Sequence, residues 1–238
     1  KAEADEIFRQ LEEEVEYFEG EMTKLQVFGK WHHIPRKQVT YGDPELTYTY
    51  SGVTFSPKPW IPVVERIRDR VTLDTGHTFN FVLINRYKDG EDHIGEHRDD
   101  ERELVPRSPI ASVSFGACRD FVFRHCDSRG KNATRHVKPV KLQLAHGSLL
   151  MMKYPTNVYW YHSLPIRKRV LAPRINLTFR KVMAVAKKDS ILTAWKPSPS
   201  VLTVNPRKVR PKSPTGLAES TMVSENVNGS LCNQAAST

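Results

Sequence analysis

The chain has 238 residues, 39% of them hydrophobic, a formal net charge of +9 and three cysteines. That suffices for one sizeable domain plus a tail, while no apolar run reaches the roughly 18–20 residues a membrane span requires and no signal peptide is visible. The sparse, odd set Cys118, Cys126 and Cys232 argues against a secreted disulfide scaffold, and the basic balance favours a polyanionic partner, nucleic acid before an anionic membrane.

In residues 1–19, Ile7, Phe8, Leu11, Val15 and Phe18 fall on one stripe, which predicts an amphipathic helix ended by Gly20. Leu25 to Trp31 reads as a strand leading into a tight turn at Gly29, and 41–59, mixing Gly, Pro and aromatics, as loop and short strand. Pro62 suits the first turn of a second helix over 62–71, with Val64 and Ile67 on its buried side. After residue 78 the period switches to two. Strands are predicted at 79–87, 93–99, 110–115, 121–125, 137–144, 148–152, 158–162 and 174–181. Eight short strands after two helices predict a mainly-β α+β fold, a double-stranded β-helix (jelly roll) with the helices packed outside. Residues 1–186 form that domain. Ser, Thr, Pro, Asn and Lys dominate 187–238, which reads as a disordered basic tail carrying +4 of the +9. Within it, 206–212 is a Lys/Arg-Pro stretch of the kind found in import signals, DNA tethers or inert linkers.

The chemistry sits in residues that are not adjacent. His97 and Asp99 are two apart, so on a strand they converge while Arg98 points away. His162 follows 63 residues after Asp99, and the run 174–180 aligns Arg174, Asn176, Thr178 and Arg180 on one face. Two His and a carboxylate cap one face of Fe(II) and leave the other open. An Arg pair suits a dicarboxylate co-substrate, because the guanidinium fork binds carboxylate bidentately. Phe81, Leu83, Asn85 and Tyr87 line one face of an earlier strand. Each piece has a bland reading. A lone His-x-Asp is usually a surface hydrogen bond, an Arg-rich strand an edge, and Asn85-Arg86-Tyr87 a strand end. The joint order and spacing favour a metal site.

These residues resemble the AlkB family of Fe(II)/2-oxoglutarate dealkylating dioxygenases, in the branch that repairs duplex DNA in the nucleus. The resemblance covers about residues 1–185 and rests on 27–31 (VFGKW), 80–87 (NFVLINRY), 93–101 (HIGEHRDDE), 112–116 (SVSFG) and 174–180 (RINLTFR). It implies that His97, Asp99 and His162 hold Fe(II), and that Asn85, Tyr87, Arg174, Asn176, Thr178 and Arg180 position 2-oxoglutarate, with one Arg on its distal carboxylate. It implies an O2-dependent oxidation of N-alkyl carbons, on 1-methyladenine, 3-methylcytosine or etheno adducts, that releases an aldehyde.

Such a base must be flipped out of the duplex. Val27, Phe28, Gly29 and Lys30 match the family's intercalating finger, with Phe28 as the wedge. Tyr48, Thr49, Tyr50 and Ser51 match a lid over the base, and Asp100 and Glu101 lie where a carboxylate would favour a cationic lesion. Arg36, Arg124, Gly130, Lys131 and the triplet Arg167, Lys168 and Arg169 are expected phosphate contacts, each with solvated surface as its alternative. A monomer is expected, without membrane association and, for this stretch of chain, without a sliding-clamp contact. The rivals are an RNA demethylase of the same family and a damage-binding module without turnover.

Overall fold

The computed structural model describes residues 1–27, 29–50, 53–131 and 133–184, with two short strands at 223–226 and 230–232. Phe28 and Ser51 lie outside the described residues.

Period-two alternation shapes the domain. In β13 (Arg174–Arg180), Ile175, Leu177 and Phe179 point to one side and Arg174, Asn176, Thr178 and Arg180 to the other, yet all seven are buried. Both faces of this strand must therefore be covered. One is covered by α1 (Ala2–Glu14) and α2 (Pro62–Thr75): Leu11, Val64, Ile67 and Val71 join Val82, Ile84, Val113, Leu149, Ile175, Leu177 and Phe179 in a single apolar cluster. The other faces a second sheet, because Tyr87, Ile110, Leu150 and Met152 pack with Phe121, Phe123, Leu142, Leu144 and Leu164.

Besides β13, the larger sheet contains β3 (Lys37–Gly42), β6 (Phe81–Tyr87), β8 (Ile110–Gly116) and β11 (Ser148–Met152), in the order β11-β8-β13-β6-β3. The smaller sheet has the order β10-β9-β12-β7, from Val140–Leu144 (β10), Arg119–His125 (β9), Trp160–Leu164 (β12) and Ile94–His97 (β7). All named pairs are antiparallel. Two sheets packed face to face with helices outside fit the expected jelly roll. Two hairpins stand apart, β1 (Lys24–Val27) with β2 (Lys30–His33) and β4 (Tyr48–Tyr50) with β5 (Val53–Phe55).

Several boundaries moved. The first helix ends at Glu14, and Val15 continues in extended conformation. The second runs on to Thr75, where Gly76 ends it. β3 begins in a stretch with no sequence assignment, and only its last two residues reach the 41–59 stretch read as loop and short strand. Its Val39 and Tyr41 complete the helix-covered core, and its pairing with β6 fixes it as a strand. The predicted 158–162 strand starts later, because Thr156–Tyr159 forms a helical turn, α3.

Within 187–238, read as a disordered tail, two short strands are described, β14 (Val223–Asn226) and β15 (Ser230–Cys232). β14 pairs with β11 from Ser148↔Asn226 to Met151↔Val223, and β15 folds back on it. The edge of β11 is a template for such pairing. The rest of 185–238 lies outside the described residues.

Candidate active site

His97 ends β7, and His162 sits opposite it in β12. Asp99 lies just past β7, so the strand is shorter than expected, yet the convergence survives. The ligand atoms of His97, Asp99 and His162 all lie within 4.8 Å of one another. His97 Nε2 is 3.8 Å from Asp99 Oδ1, and His162 Nε2 is 3.8 Å from Asp99 Oδ2. The His97 Nδ1 contacts the Gly95 carbonyl at 2.9 Å, which orients Nε2 inward. His162 stacks on Phe121 at 5.3 Å, with Phe123 at 6.0 Å.

Asp99 is 3% exposed. Arg180 Nη2 donates to its Oδ1 at 3.0 Å, and Oδ2 has no hydrogen-bond partner. Burial raises the Asp99 carboxyl, but Arg180, His162 and His97 together hold it well below the usual carboxylate range. Burial, reinforced by His97, pushes His162 down to about 3, and burial lowers His97 as well. At neutral pH the cluster is thus two neutral imidazoles and a carboxylate, the protonation state a divalent metal needs. The donor set and the unpartnered Oδ2 fit Fe(II).

A second feature faces the same interior. Arg174 is 2% exposed, and its Nε and Nη1 have no hydrogen-bond partner. Burial pulls its guanidinium down to about 10. A buried, underpaired cation calls for an anionic ligand. Tyr87 is its register partner on β6 and is equally buried. This pair fits the distal carboxylate of 2-oxoglutarate. Arg180 is committed to Asp99 and to the Thr178 carbonyl (3.0 Å), which leaves Arg174 as the available Arg of the two.

Other expected contacts need revision. The Asn176 amide donates to Ser112 Oγ and the Val113 carbonyl, and its Oδ1 accepts from Thr178, so it orients Thr178 rather than facing a ligand. Arg36 is buried, with Nε on Asn85 Oδ1 at 2.9 Å and Nη1 on the His93 carbonyl at 3.3 Å. It faces inward, because β3 is flanked by β6, and it is no surface phosphate contact. Tyr48 is no open stacking platform either. Its ring is fully buried against Phe81 (4.6 Å) and beneath the Arg180 guanidinium (5.5 Å). Its hydroxyl lies beside Glu101 without closing a well-formed hydrogen bond. Burial pushes that half-buried carboxyl up to about 7, helped by Asp99 and opposed by Arg180. Thr49 hands its N–H to Glu103, and exposed Asp100 pairs with Arg98.

On the surface, Gly29 takes φ +78° at the tip of the β1–β2 hairpin, a conformation that favours glycine. Lys30, Trp31, His32 and His33 of β2 are all exposed. Arg124 and Arg129 share the Glu96 carboxylate at 2.7 and 2.9 Å. With Ser128 and Gly130, these three residues line an open cleft next to exposed Lys131. Lys168 and Arg169 are exposed, whereas Arg167 holds Asp120 at 2.7 Å. Burial raises Asp120, but the Arg167 hydrogen bond and charge more than offset it, so its native value lies below the unfolded one. The resulting stabilisation is complete above the unfolded carboxylate range and is lost as pH falls through the native value. Asp120→Asn should remove that acid-side slope, by less than about 1 kcal/mol, in urea titrations at neutral and acid pH.

Asn157 escaped the sequence reading, since nothing in its local pattern marks it. From α3 its Oδ1 accepts the Asp99 N–H at 3.3 Å and its Nδ2 donates to the Asp99 carbonyl. This clamp takes over the role of the strand where β7 stops short. Asn157→Ala is expected to weaken divalent-metal affinity about 10–100-fold with the fold intact. Metal titration checks it, and unchanged affinity would refute the role.

The comparisons agree with this geometry. The family model described as the 2OG-Fe(II) oxygenase superfamily matches residues 1–180. The bovine protein named DNA oxidative demethylase ALKBH2 is 74% identical over 194 residues, covering 82% of this chain and 70% of that protein. The human protein of that name is 75% identical over 187 residues, covering 79% and 72%. The mouse protein named alpha-ketoglutarate-dependent dioxygenase alkB homolog 3 is 42% identical over 156 residues, covering 62% and 54%. With a family match over three quarters of its length, the chain belongs to the 2OG-Fe(II) oxygenase superfamily, as an AlkB-type dioxygenase that works with Fe(II), 2-oxoglutarate and O2.

Proposed function

We propose that this enzyme repairs DNA by oxidative demethylation of N-alkylated bases such as 1-methyladenine and 3-methylcytosine, with double-stranded DNA as its preferred substrate. The observation that carries the reading is the 74–75% identity, over about four fifths of the chain, to mammalian proteins named DNA oxidative demethylase. Iron, 2-oxoglutarate and O2, when bound, would supply the oxidising chemistry that hydroxylates the N-alkyl carbon, which then leaves as an aldehyde.

The residues of this chain do the rest. His97, His162 and Asp99 would hold the metal through Nε2, Nε2 and the carboxylate. Arg180 fixes Asp99 by binding Oδ1, and Phe121 and Phe123 wall His162 with apolar surface. Arg174 and Tyr87 would receive the distal carboxylate. Asp100, and Glu101 in its ionised form, add negative charge beside the centre, which favours a cationic alkylated base over a neutral one. For reaching a paired base, the β1–β2 hairpin, whose β2 strand is exposed, is the natural probe. Val27 and Gly29 flank its tip, and Phe28 is the side chain proposed to enter the stack left by the flipped base. Lys30, Lys131, Lys168 and Arg169 are exposed cations suited to phosphates. A nuclear location and a monomeric state belong to the same reading, the former consistent with the basic stretch at 206–212.

The test is formaldehyde release from a duplex carrying one 1-methyladenine, with Fe(II), ascorbate and 2-oxoglutarate, beside the same lesion in single-stranded DNA and in RNA. Release that depends on 2-oxoglutarate and is fastest on the duplex is expected. Faster turnover of RNA would favour an RNA demethylase, and turnover of neither nucleic acid would end the repair reading.

A further inference from the structure

Arg119 opens β9, just past the turn that follows β8, and is 1% exposed. Its guanidinium donates to three main-chain carbonyls: Nη1 to Asp89 at 2.9 Å, and Nη2 to Asp92 at 2.9 Å and Pro165 at 2.8 Å. These carbonyls belong to two loops. Residues 88–93 lead from Tyr87, at the end of β6, to β7 and its His97. Residues 165–173 lead from β12, which carries His162, to Arg174 at the start of β13. Each loop therefore joins a strand bearing a metal ligand to a strand bearing one half of the Arg174–Tyr87 pair.

The loops also hold each other. The Gly90 N–H donates to the Val170 carbonyl and the Arg167 N–H to the Gly90 carbonyl, both at 2.7 Å. A Cβ on residue 90 would sit 1.8 Å from the Arg167 carbonyl oxygen, so this approach requires glycine. The Arg119 guanidinium carbon lies 5.9 Å from the Tyr87 ring centroid, and Tyr87 pairs in register with Arg174. One buried cation thus rivets both connecting loops while flanking the Tyr87 ring. The length of diacid that can reach from the metal to Arg174 depends on the separation this rivet maintains.

We propose that Arg119 is a positioning residue that sets the spacing between the metal centre and the Arg174–Tyr87 end of the pocket, and so selects a five-carbon 2-oxo diacid over its six-carbon homologue. The inference rests on the reading of Arg174 and Tyr87 as the distal-carboxylate site. Arg119 acts through the loops and the Tyr87 ring and is not a catalytic residue. A purely structural role would lower affinity for both acids alike. A spacing role changes their ratio.

The experiment is calorimetric titration of the Mn(II)-loaded full chain, without oxygen, with 2-oxoglutarate and with 2-oxoadipate. The unmodified protein should bind 2-oxoglutarate at least about tenfold more tightly, the discrimination one methylene commonly allows. Arg119→Lys, which keeps the charge but cannot span all three carbonyls, should retain Mn(II) affinity, weaken 2-oxoglutarate about tenfold and bring the ratio towards one. A variant with the original affinity and ratio, or an unmodified protein without discrimination, overturns the proposal. If Arg119→Lys does not fold, Gly90→Ala strains the same junction from the other side and should shift the ratio in the same direction; an unchanged ratio there is equally fatal. Arg174→Met separates the two levels. If it binds 2-oxoglutarate normally, the pocket reading fails. If it loses binding while Arg119→Lys behaves as the original protein, only the role of Arg119 fails.

Discussion

Asp99→Ala is expected to remove metal binding, to cut turnover by about three orders of magnitude or more, and also to destabilise the metal-free protein. The last effect comes from Arg180. Its guanidinium is 3% exposed and donates to Asp99 Oδ1 at 3.0 Å. Deleting the carboxylate strands a buried cation, at a cost of about 3–5 kcal/mol. Urea unfolding of the two metal-free proteins measures it. Adding Arg180→Met to Asp99→Ala should recover much of the loss, because the double variant has no orphaned charge. A metal-free Asp99→Ala protein as stable as its parent would show that the pair is better solvated than its burial indicates. Binding to undamaged DNA should survive in both, since the exposed cations at positions 30, 131, 168 and 169 are untouched.

Arg174→Met should act with the opposite sign on stability. Arg174 is as buried as Arg180, but its Nε and Nη1 lack partners, and burial holds its guanidinium down at about 10. The metal-free fold therefore carries an underpaired charge. Replacing it with an apolar side chain of similar length should stabilise that state by on the order of 1–4 kcal/mol. The same change should weaken 2-oxoglutarate about 100-fold or more, because truncating one partner of a buried charge pair costs upward of about 2–5 kcal/mol. Thermal melts with and without 2-oxoglutarate check both parts at once. The parent should melt lower alone and gain with the ligand, and the variant should melt higher alone and gain nothing. A variant that melts lower alone would show Arg174 to be a structural cation, and one with an undiminished ligand shift would move the distal carboxylate elsewhere.

The two arginines show how far the chain can be read before it folds. The alternation at 174–180 places Arg174 and Arg180 on the same face, and nothing local distinguishes them. Asp99 decides the matter, because it lies 81 positions away in the chain and sits beside Arg180 only once β13 and the end of β7 are brought together. Tyr48 and Arg36 fall on the same divide. The resemblance implies that Tyr48 lies in a lid over the base, and Arg36, just after the finger, is an expected phosphate contact. Packing against Phe81 and pairing with Asn85 turned both inward. Asn157 and Arg119 went unnoticed because each acts on main-chain groups of distant loops, for which side-chain patterns carry no mark.

The sequence by itself determined the two-residue period of the strands, the stripes of the two helices, and the convergence of His97 with Asp99. Each of these depends on which face a side chain takes, and backbone geometry fixes the face from local spacing alone. Only the tertiary structure decided which buried charge is paired and which awaits a ligand, and which loops hold the metal strands against the co-substrate strands. Those outcomes depend on which strands become neighbours and in what register, and a partner 81 residues away leaves no trace in the local pattern.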